Sequence, residues 1–327
     1  MNIFSIIIPV YNAEKIITRC LESIARQTFK DFEVVMVNDG SKDRSEEVIN
    51  EFLAIHSDVD AHLVRQQNAG AGVARNVGIS QSKGEYIVFL DSDDYIEDNY
   101  LESIYEKIKD EDADVVFIDI IREREGGAVI RHEDMSRFAN LGKERLIRWQ
   151  ITGKTPWGGW RKAVRSSIIR DNQLEYAPIK VGEESIFSLR ILEEAKRIAF
   201  QPKAIYHYVE TDTSLTAHDE IGNSLGVFNF IYSYLKENGK LEKYSETVRS
   251  MAVTTMTIAI NVASENQEFG EAMVTSRKLL KEYKQYYTGK TDWDALEWRV
   301  KVCLPWIKMG WPLPVLIASK MKRIFTK

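Results

Sequence analysis

The sequence predicts an α/β fold, in which a mainly parallel sheet is flanked by helices and followed by a helical C-terminal extension. Over the first 120 residues, runs of β-branched and apolar residues alternate with segments whose apolar residues recur at helical spacing. The strand runs are almost continuously apolar, which is typical of parallel strands covered by helices on both faces. From about Gly222 onward the spacing is helical.

The predicted elements alternate in order along the first third of the chain. Strands are predicted over Phe4–Val10, Phe32–Val37, His62–Arg65, Tyr86–Leu90 and Val115–Asp119. Helices are predicted over Lys15–Gln27, after Ser41 as a candidate N-cap, over Ala71–Ile79 and along the face formed by Leu101, Ile104 and Ile108. Strand–helix–strand units of this kind place successive strands in parallel.

The pattern becomes less regular after about Arg122. A Trp- and Gly-rich loop is predicted over Trp149–Trp160, a helix opening at Glu183–Glu184, and short strands over Ile198–Phe200 and Ala204–Tyr208. We place a domain boundary near residue 220. The predicted domains are an α/β domain over 1–220, with halves 1–120 and 121–220, and a helical region over 221–327.

Composition excludes several classes of protein. The 327 residues are 44% hydrophobic and carry a formal net charge of −5, which argues against a nucleic-acid binder. The two cysteines, Cys20 and Cys303, lie in no CxxC motif, so neither a zinc site nor a disulfide framework is indicated. SIIIPV lacks a basic leader, and no window reaches the length of a membrane span. We expect a cytoplasmic protein that is soluble or peripheral to the membrane.

Polar residues follow three of the predicted strands. The first strand ends in PVYN at residues 9–12, the second in NDGS at 38–41, and the fourth in DSDD at 91–94. In open α/β sheets, ligands bind at the carboxyl ends of the strands. The three segments are therefore expected to meet at one edge of the sheet and to form the site.

The DSDD segment places three carboxylates within four residues. A solvated turn tolerates such clustering, because Asp is a favourable turn residue. At the mouth of a buried strand, a site for Mg²⁺ or Mn²⁺ explains it better, since these ions prefer oxygen ligands and commonly retain substrate phosphates. Asp91 and Asp93 lie on the same side of an extended chain, whereas Asp94 points away.

Two further segments suit a nucleotide. The turn at NDGS explains Gly40 and Ser41 by itself, but it leaves the Asp39 carboxylate available to accept hydrogen bonds from a base N–H. NAGAGVARNVG at residues 68–78 is a small-residue loop opening a helix, which suits close approach to a diphosphate. Arg75 stands where a dinucleotide-binding loop would have its third glycine, so it pairs with a phosphate or with a nearby Asp, or the segment is simply a surface helix start.

The motifs SIIIPVYNAEK, NDGSKD, NAGAGVARNVGI and GEYIVFLDSDDY occur in this order over roughly the first 110 residues. Together they closely resemble the inverting family 2 glycosyltransferases of the GT-A fold. The resemblance implies a nucleotide-diphosphate-sugar donor, usually a UDP-sugar, and a divalent metal, Mn²⁺ or Mg²⁺, at the DxD motif. The half over 1–120 would then bind the nucleotide-sugar, and the half over 121–220 would face the acceptor.

The resemblance also assigns roles to individual positions. Pro9, Tyr11 and Asp39 would contact the uridine, and Arg75 would lie near the ribose or diphosphate. Asp91 would touch the ribose or the metal, with Ser92 beside it on the donor, and Asp93 would ligate the metal.

The segment IKVGEESIFSLRIL resembles the part of the family that carries the catalytic base, usually a Glu-Asp pair at a helix start. The pair here is Glu183-Glu184; we favour Glu184 as the base, and Glu183 stays open. Acidic residues at a helix N-terminus are also favoured by the helix dipole. The implied reaction is a single in-line displacement that inverts the anomeric configuration.

Other candidate residues lie downstream. IYHYVETDTSLTAH resembles a family segment that usually carries basic residues, but Val209, Thr211 and Asp212 occupy that stretch here. His207 is a candidate third metal ligand or diphosphate partner, or a partly buried strand histidine. Trp157 and Trp160 are candidates for an acceptor-sugar platform, or for lid or core residues. Arg161 and Lys162 are candidates to replace the missing basic charge.

The expected acceptor is a glycan hydroxyl, on a free or a lipid-linked glycan, in bacterial surface-polysaccharide, capsule or O-antigen assembly. The main alternative is a catalytically inactive nucleotide-sugar-binding or scaffold protein. Residues 301–327 contain six basic and no acidic residues, interspersed with Trp306, Trp311 and other apolar residues. This tail predicts either peripheral contact with a membrane or packing on the rest of the protein, and the helical third is a candidate homodimer contact.

Overall fold

A computed structural model of the chain describes residues 2–177, 182–210 and 221–325. The chain separates into two compact units. The first comprises residues 1–143 and 157–214, and the second comprises residues 144–156 and 215–327. The functional division predicted near residue 220 stays a prediction.

The described part of the first unit contains one sheet. Its strands are β1 (Phe4–Val10), β2 (Phe32–Asp39), β3 (Ala61–Gln66), β4 (Tyr86–Phe89), β5 (Tyr95–Ile96), β6 (Val115–Arg124), β7 (Val129–Glu133), β8 (Lys162–Arg165) and β9 (Ile198–Glu210). They lie in the order β3-β2-β1-β4-β8-β6-β9-β5, with β7 paired to β6. Strands β1–β4 pair in parallel, as do β6 and β9, whereas β5, β7 and β8 run antiparallel to their neighbours. The predicted mainly parallel α/β fold is confirmed.

The helices belong to both compact units. They are α1 (Ile17–Ala25), α2 (Ser45–Ile55), α3 (Ala71–Gln81), α4 (Tyr100–Glu111), α5 (Lys143–Ile151), α6 (Ser166–Asp171), α7 (Glu183–Glu194), α8 (Ile221–Glu237), α9 (Ser245–Asn266), α10 (Phe269–Glu282), α11 (Lys284–Tyr287), α12 (Trp298–Lys308) and α13 (Leu313–Phe325). Helix α7 begins at Glu183, where the sequence predicted it.

The central strands are buried on both faces, as their apolar sequences require. Every residue of β1 and β2 is buried. Helix α3 packs directly on β1, because a Cβ at Gly78 would lie 2.3 Å from Cγ2 of Ile7. This close approach draws the preceding turn of α3, which carries Arg75, into the protein.

Three local predictions are wrong. Helix α2 begins at Ser45, and the hydroxyl of Ser41 instead accepts a hydrogen bond from the backbone N–H of Asn12 at 3.1 Å. Trp149 belongs to α5, whose buried Leu146, Ile147 and Ile151 form a helical face, and not to a loop. The two short strands predicted over 198–208 form one strand, β9, because its irregular register opposite Ile118–Ile120 lets pairing with β6 continue.

The second unit is helical, and α9 lies at its centre. Helices α8, α10, α11, α12 and α13 all pack against α9. Ala252, Met256, Ala259 and Ile260 of α9 are fully buried, as expected for a helix surrounded by others. Across the described ranges, no helix is long and apolar enough to cross a membrane.

Candidate active site

The carboxyl ends of β1, β2 and β4 lie side by side. Val10 of β1 pairs with Asn38 of β2, and Ile7 of β1 pairs with Phe89 of β4. Because the strands are parallel, the PVYN, NDGS and DSDD segments leave the sheet at the same edge, as the sequence predicted. Pro9 is buried within β1, whereas the ring of Tyr11 is 47% exposed just beyond it.

The carboxylate of Asp39 holds the loop that precedes α3. Its Oδ1 accepts hydrogen bonds from Nε2 of Gln66 at 2.7 Å and from the backbone N–H of Ala69 at 2.8 Å, and its Oδ2 accepts one from Gly70 N–H at 2.9 Å. Asp39 is 2% exposed. The three donors leave room on a carboxylate for about one further hydrogen bond. The end of β2 and the start of α3 are thereby tied together.

Arg75 connects the strand-end carboxylates to the start of α7. Its side chain is 7% exposed, and its Nη2 lies 2.8 Å from Oδ1 of Asp91. Its Nη1 lies 3.4 Å from Oε1 of Glu183 and 3.5 Å from Oε1 of Glu184. The guanidinium also lies 5.4 Å from the ring centroid of Tyr176. Burial alone would lower the pKa of Arg75, but the charges of Asp91 and Glu184 raise it well above its usual value, so the guanidinium stays charged.

The three aspartates of DSDD occupy different environments. Asp94 is 1% exposed and faces β9, where it accepts hydrogen bonds from the Tyr206 hydroxyl at 2.6 Å and from Val209 N–H at 2.8 Å. Burial and the nearby charge of Asp91 raise the pKa of Asp93 to about 6. Asp94 is therefore structural, and Asp91 and Asp93 are the pair that the site presents, with Ser92 between them.

A stack of side chains supports the backbone at Asp93. Arg19 donates from Nη2 to the carbonyl oxygen of Asp93 at 2.8 Å, and its guanidinium lies 4.6 Å from the ring centroid of Tyr95. The other face of Tyr95 is stacked on His207, at 4.1 Å between centroids. His207 contacts carboxylates through both ring nitrogens, with Nε2 2.8 Å from Glu97 and Nδ1 3.3 Å from Glu123. The metal-ligand role of His207 stays a prediction.

The two candidate bases differ in their surroundings. Burial and the neighbouring charge of Glu184 raise the pKa of Glu183 to about 7. Oε1 of Glu184 accepts a hydrogen bond from the backbone N–H of Gly159 at 3.0 Å. A larger residue at position 159 would force neighbouring atoms to move, because its Cβ would lie 2.4 Å from the Tyr176 hydroxyl oxygen and 3.3 Å from Oε1 of Glu184.

The segment over residues 157–162 is held by a buried lysine. Nζ of Lys162 donates to the carbonyl oxygens of Trp157 at 2.9 Å and Gly158 at 2.7 Å, and burial lowers the pKa of Lys162 to about 7. Arg161 pairs with Glu133, so both basic residues already have protein partners. Trp160 is 7% exposed and is stacked on Tyr206 at 5.2 Å, which places it in the core. Trp157, three residues earlier, is partly buried.

Asp91 and Asp93 suit a divalent metal ion whose remaining coordination positions are filled by a bound ligand. Among the residues that the structure describes, no group of three or more His, Cys, Asp or Glu side chains is arranged to hold a metal ion alone. Mg²⁺ is commonly held by one or two carboxylates together with substrate phosphates and waters. Asp91 and Asp93 would supply two such oxygen donors, and burial together with the nearby charge of Asp91 raises the pKa of Asp93.

Sequence reasoning missed four residues that shape this site: Arg19, Gly159, Tyr176 and the buried Lys162 as a loop anchor. None of them belongs to a strand-end motif. The GGWRK run at 158–162 gave no signal either, because glycine and basic residues are common in surface loops.

Comparison with known proteins identifies the family. The family model described as glycosyl transferase family 2 matches residues 5–170, which is half of the chain. EpsH of Bacillus subtilis, which is named as a glycosyltransferase, is 30% identical over 256 residues, and the match covers 76% of this chain and 74% of EpsH.

The chain belongs to glycosyl transferase family 2. It is a glycosyltransferase, as the motifs predicted.

Similar proteins, two of them of known structure, agree with the fold. The poly(ribitol-phosphate) β-N-acetylglucosaminyltransferase TarS of Staphylococcus aureus is 30% identical over 210 residues, covering 63% of this chain and 35% of TarS. The structure of TarS residues 1–349 with UDP-GlcNAc aligns with a TM-score of 0.65 and 21% identity over 99% of this chain and 92% of that one. A Pyrobaculum calidifontis mannosyltransferase solved with GDP-Man and Mn²⁺ aligns at 0.50 and 16% identity, over 99% and 88% of the two chains. The family 2 chain thus has the predicted GT-A architecture.

Proposed function

We propose that this family 2 glycosyltransferase transfers a sugar from a nucleoside-diphosphate donor, preferentially a UDP-sugar, to a glycan hydroxyl with inversion. The observation that carries the proposal is the position of Arg75. One buried guanidinium contacts Asp91 at the mouth of β4 and both acids at the start of α7. The donor-side carboxylate of Asp91 and the two candidate bases therefore all contact the same side chain.

The donor nucleotide is assigned to the edge formed by β1, β2 and β4. Tyr11 presents an exposed side chain for stacking on a base, and Pro9 restricts the backbone of the strand two residues before it. Asp39 is held rigidly by three hydrogen bonds and has capacity for one more, which suits a base N–H. TarS has been solved with UDP-GlcNAc and with UDP, which supports a UDP-sugar donor for the present chain.

Asp93 and Asp91 are assigned to the divalent metal, with Mn²⁺ or Mg²⁺ as the ion. When bound, the ion supplies Lewis-acid stabilisation of the departing diphosphate. The chain's own contribution is to hold both carboxylates in place, Asp91 through Arg75 and the Asp93 backbone through Arg19. We leave His207 out of this set because both of its ring nitrogens already contact carboxylates.

Glu184 is assigned as the general base that removes the proton of the acceptor hydroxyl. Gly159 N–H donates to Oε1 of Glu184, and Nη1 of Arg75 lies 3.5 Å from the same oxygen, so both hold this carboxylate in place. A positioned base contributes on the order of 10²–10⁴ in rate. Attack from the face opposite the diphosphate inverts the anomeric carbon.

The acceptor is assigned to bacterial surface-polysaccharide synthesis. The name of TarS, a poly(ribitol-phosphate) transferase, supports a polymeric acceptor. Trp160 is an unsuitable sugar platform because it is stacked in the core, so the partly buried Trp157 is the better acceptor candidate of the two.

The test is donor hydrolysis and transfer with UDP-, GDP- and dTDP-sugars in the presence of Mn²⁺. Wild type is expected to turn over a UDP-sugar, Asp93→Ala to lose metal-dependent turnover, and Glu184→Gln to bind donor while turning over on the order of 10²–10⁴ times more slowly. Glu183→Gln is the matched variant, and its loss is expected to be no more than about tenfold.

The outcomes separate the assignments. A larger loss for Glu183→Gln than for Glu184→Gln would exchange the roles of the two acids. Tight nucleotide binding without turnover of any donor, over a broad set of acceptors, would establish the inactive binding protein instead.

A further inference from the structure

Helix α12 and the residue that caps its C-terminus, Met309, expose a continuous apolar stripe. Trp298, Val302, Pro305 and Met309 follow one another at intervals of four, three and four residues, and all four are exposed. At 100° per residue they fall within a sector of about 60°. Trp298, Val302 and Met309 are 66%, 63% and 60% exposed, which is unusual for large apolar side chains aligned on one face. We call these four residues the α12 stripe.

The opposite side of α12 is already used for packing. Val300, Leu304 and Ile307 are buried there, and the helix packs against α9 and α13. Helix α12 is therefore apolar on two faces, of which one stabilises the second unit. Among the described residues, none covers the α12 stripe, so its apolar character is not explained by folding of this unit.

The surroundings of the stripe are apolar and positively charged. Trp311, Ile317 and Met321 are 50%, 45% and 51% exposed in the segment that follows α12. From Trp298 to Met321 the sequence contains four basic residues and no acidic residue, in a chain whose net charge is −5. The four are Arg299, Lys301, Lys308 and Lys320. Charge and apolar exposure thus coincide in one segment.

We propose that the α12 stripe docks this protein on a bilayer containing anionic phospholipids. Trp favours the membrane–water interface, where its ring is in the apolar region and its N–H meets the headgroups. Arg299 and Lys301 flank the stripe on opposite sides, and long basic side chains can reach the headgroups while their stems cover apolar surface. Attraction to anionic lipids adds to the burial of apolar area.

A bilayer explains the charge better than a second copy of the chain does. In a two-fold dimer the same surface meets itself, so a dimer through the α12 stripe would bring basic flanks close to basic flanks. Like charges across an interface are unfavourable. An anionic lipid surface is complementary to the same residues.

If the proposed glycan acceptor is correct, docking on a bilayer would hold the enzyme where a lipid-linked acceptor is found. The docking surface itself does not depend on that assignment. Failure of the donor assay would leave lipid binding untouched, and failure of lipid binding would leave transfer to a water-soluble acceptor untouched.

The experiment is flotation of the full-length protein with vesicles of phosphatidylcholine alone or with about one third phosphatidylglycerol. Wild type is expected to float only with anionic vesicles, and less so in high salt. Val302→Glu with Met309→Glu is expected to lower the partition coefficient on the order of tenfold or more. Arg299→Gln with Lys301→Gln is expected to lower it by about tenfold on anionic vesicles.

Val274→Glu is the matched control, because Val274 is also exposed, at 69%, but lies on α10 and outside the stripe. It is expected to float like wild type, and all variants should retain the wild-type circular dichroism spectrum. Equal flotation of wild type and the double glutamate variant would overturn the proposal. So would a solution dimer, measured by light scattering, that the double glutamate variant converts to monomer without any wild-type lipid binding.

Discussion

The two units depart from ordinary burial in opposite ways. The first buries charge: Arg75, Asp39 and Lys162 are 6%, 2% and 1% exposed. The second exposes large apolar side chains, with Trp298 and Val302 both more than 60% exposed. Charged residues are rarely buried without partners, and apolar residues are rarely aligned on a surface without a use. In each unit, the residues that we propose to be functional are those whose burial is least ordinary for their polarity.

The difference has a physical consequence for mutation. A buried charge must be paired, so its partners depend on each other, and removing one leaves the rest uncompensated. An exposed apolar side chain has few partners, so changing it alters binding without altering the fold. Substitutions in the active site should therefore be costly and coupled, whereas those on the α12 stripe should have little effect on stability.

The largest effect is expected for Arg75→Ala. This variant leaves Asp91, Glu183 and Glu184 without their shared cation, and breaking a buried ion pair typically costs about 3–5 kcal/mol. Chemical denaturation of wild type and variant measures this loss. Arg65→Ala is the control, because its pair with Glu46 is 58% and 38% exposed and should contribute less than about 1 kcal/mol. Equal losses for the two variants would contradict the expectation that the buried ion pairs stabilise the protein more than the exposed one.

An intermediate, pH-dependent effect is expected for Glu183→Gln. The folded pKa of Glu183 is about 7, above the usual value of 4.5, so the folded state binds its proton between these two pH values while the unfolded state does not. Wild-type stability should therefore fall as pH rises from about 5 to 7, by roughly 2–3 kcal/mol. Thermal melting across pH 5–8 should show Glu183→Gln gaining stability over wild type as pH rises. A constant difference between the two would contradict the raised pKa.

The smallest effect is expected for Val302→Glu. The side chain is 63% exposed and lies opposite the packed face of α12, so the free energy of unfolding should change by no more than about 0.5 kcal/mol. Denaturation in the absence of lipid measures it. A loss of several kcal/mol would mean that the α12 stripe is packed within the folded protein, and the contrast between the units would disappear.

The strand-end motifs were predictable because they combine two strong local signals. PVYN, NDGS and DSDD each follow an almost continuous apolar strand, and parallel strands bring their carboxyl ends together. The start of α7 was predictable as well, since Glu183 and Glu184 stand directly before a helical run of Ile186, Phe187 and Ile191. Their proximity to Arg75 was not, because it depends on the close packing of α3 on β1 at Gly78.

The antiparallel strands β5 and β8 could not be predicted from the sequence, for a different reason. Strand β5 has two residues, and β8 begins with the charged Lys162 and ends with Arg165, so neither shows an apolar strand pattern. Lys162 is buried there because backbone carbonyl oxygens of its own segment accept its hydrogen bonds. Trp160 enters the core for a similar non-local reason, since its stacking partner Tyr206 is 46 residues away in sequence.

The three hydrogen bonds on Asp39 bear on how this enzyme can diversify. The carboxylate that we assign to the nucleobase also fixes Gln66, Ala69 and Gly70, and so the turn that leads into α3. A mutation at Asp39 that favoured another base would at the same time loosen that turn and the helix carrying Arg75. Nucleotide preference among descendants of this enzyme is therefore expected to change through exchange of the whole turn rather than through single substitutions at Asp39.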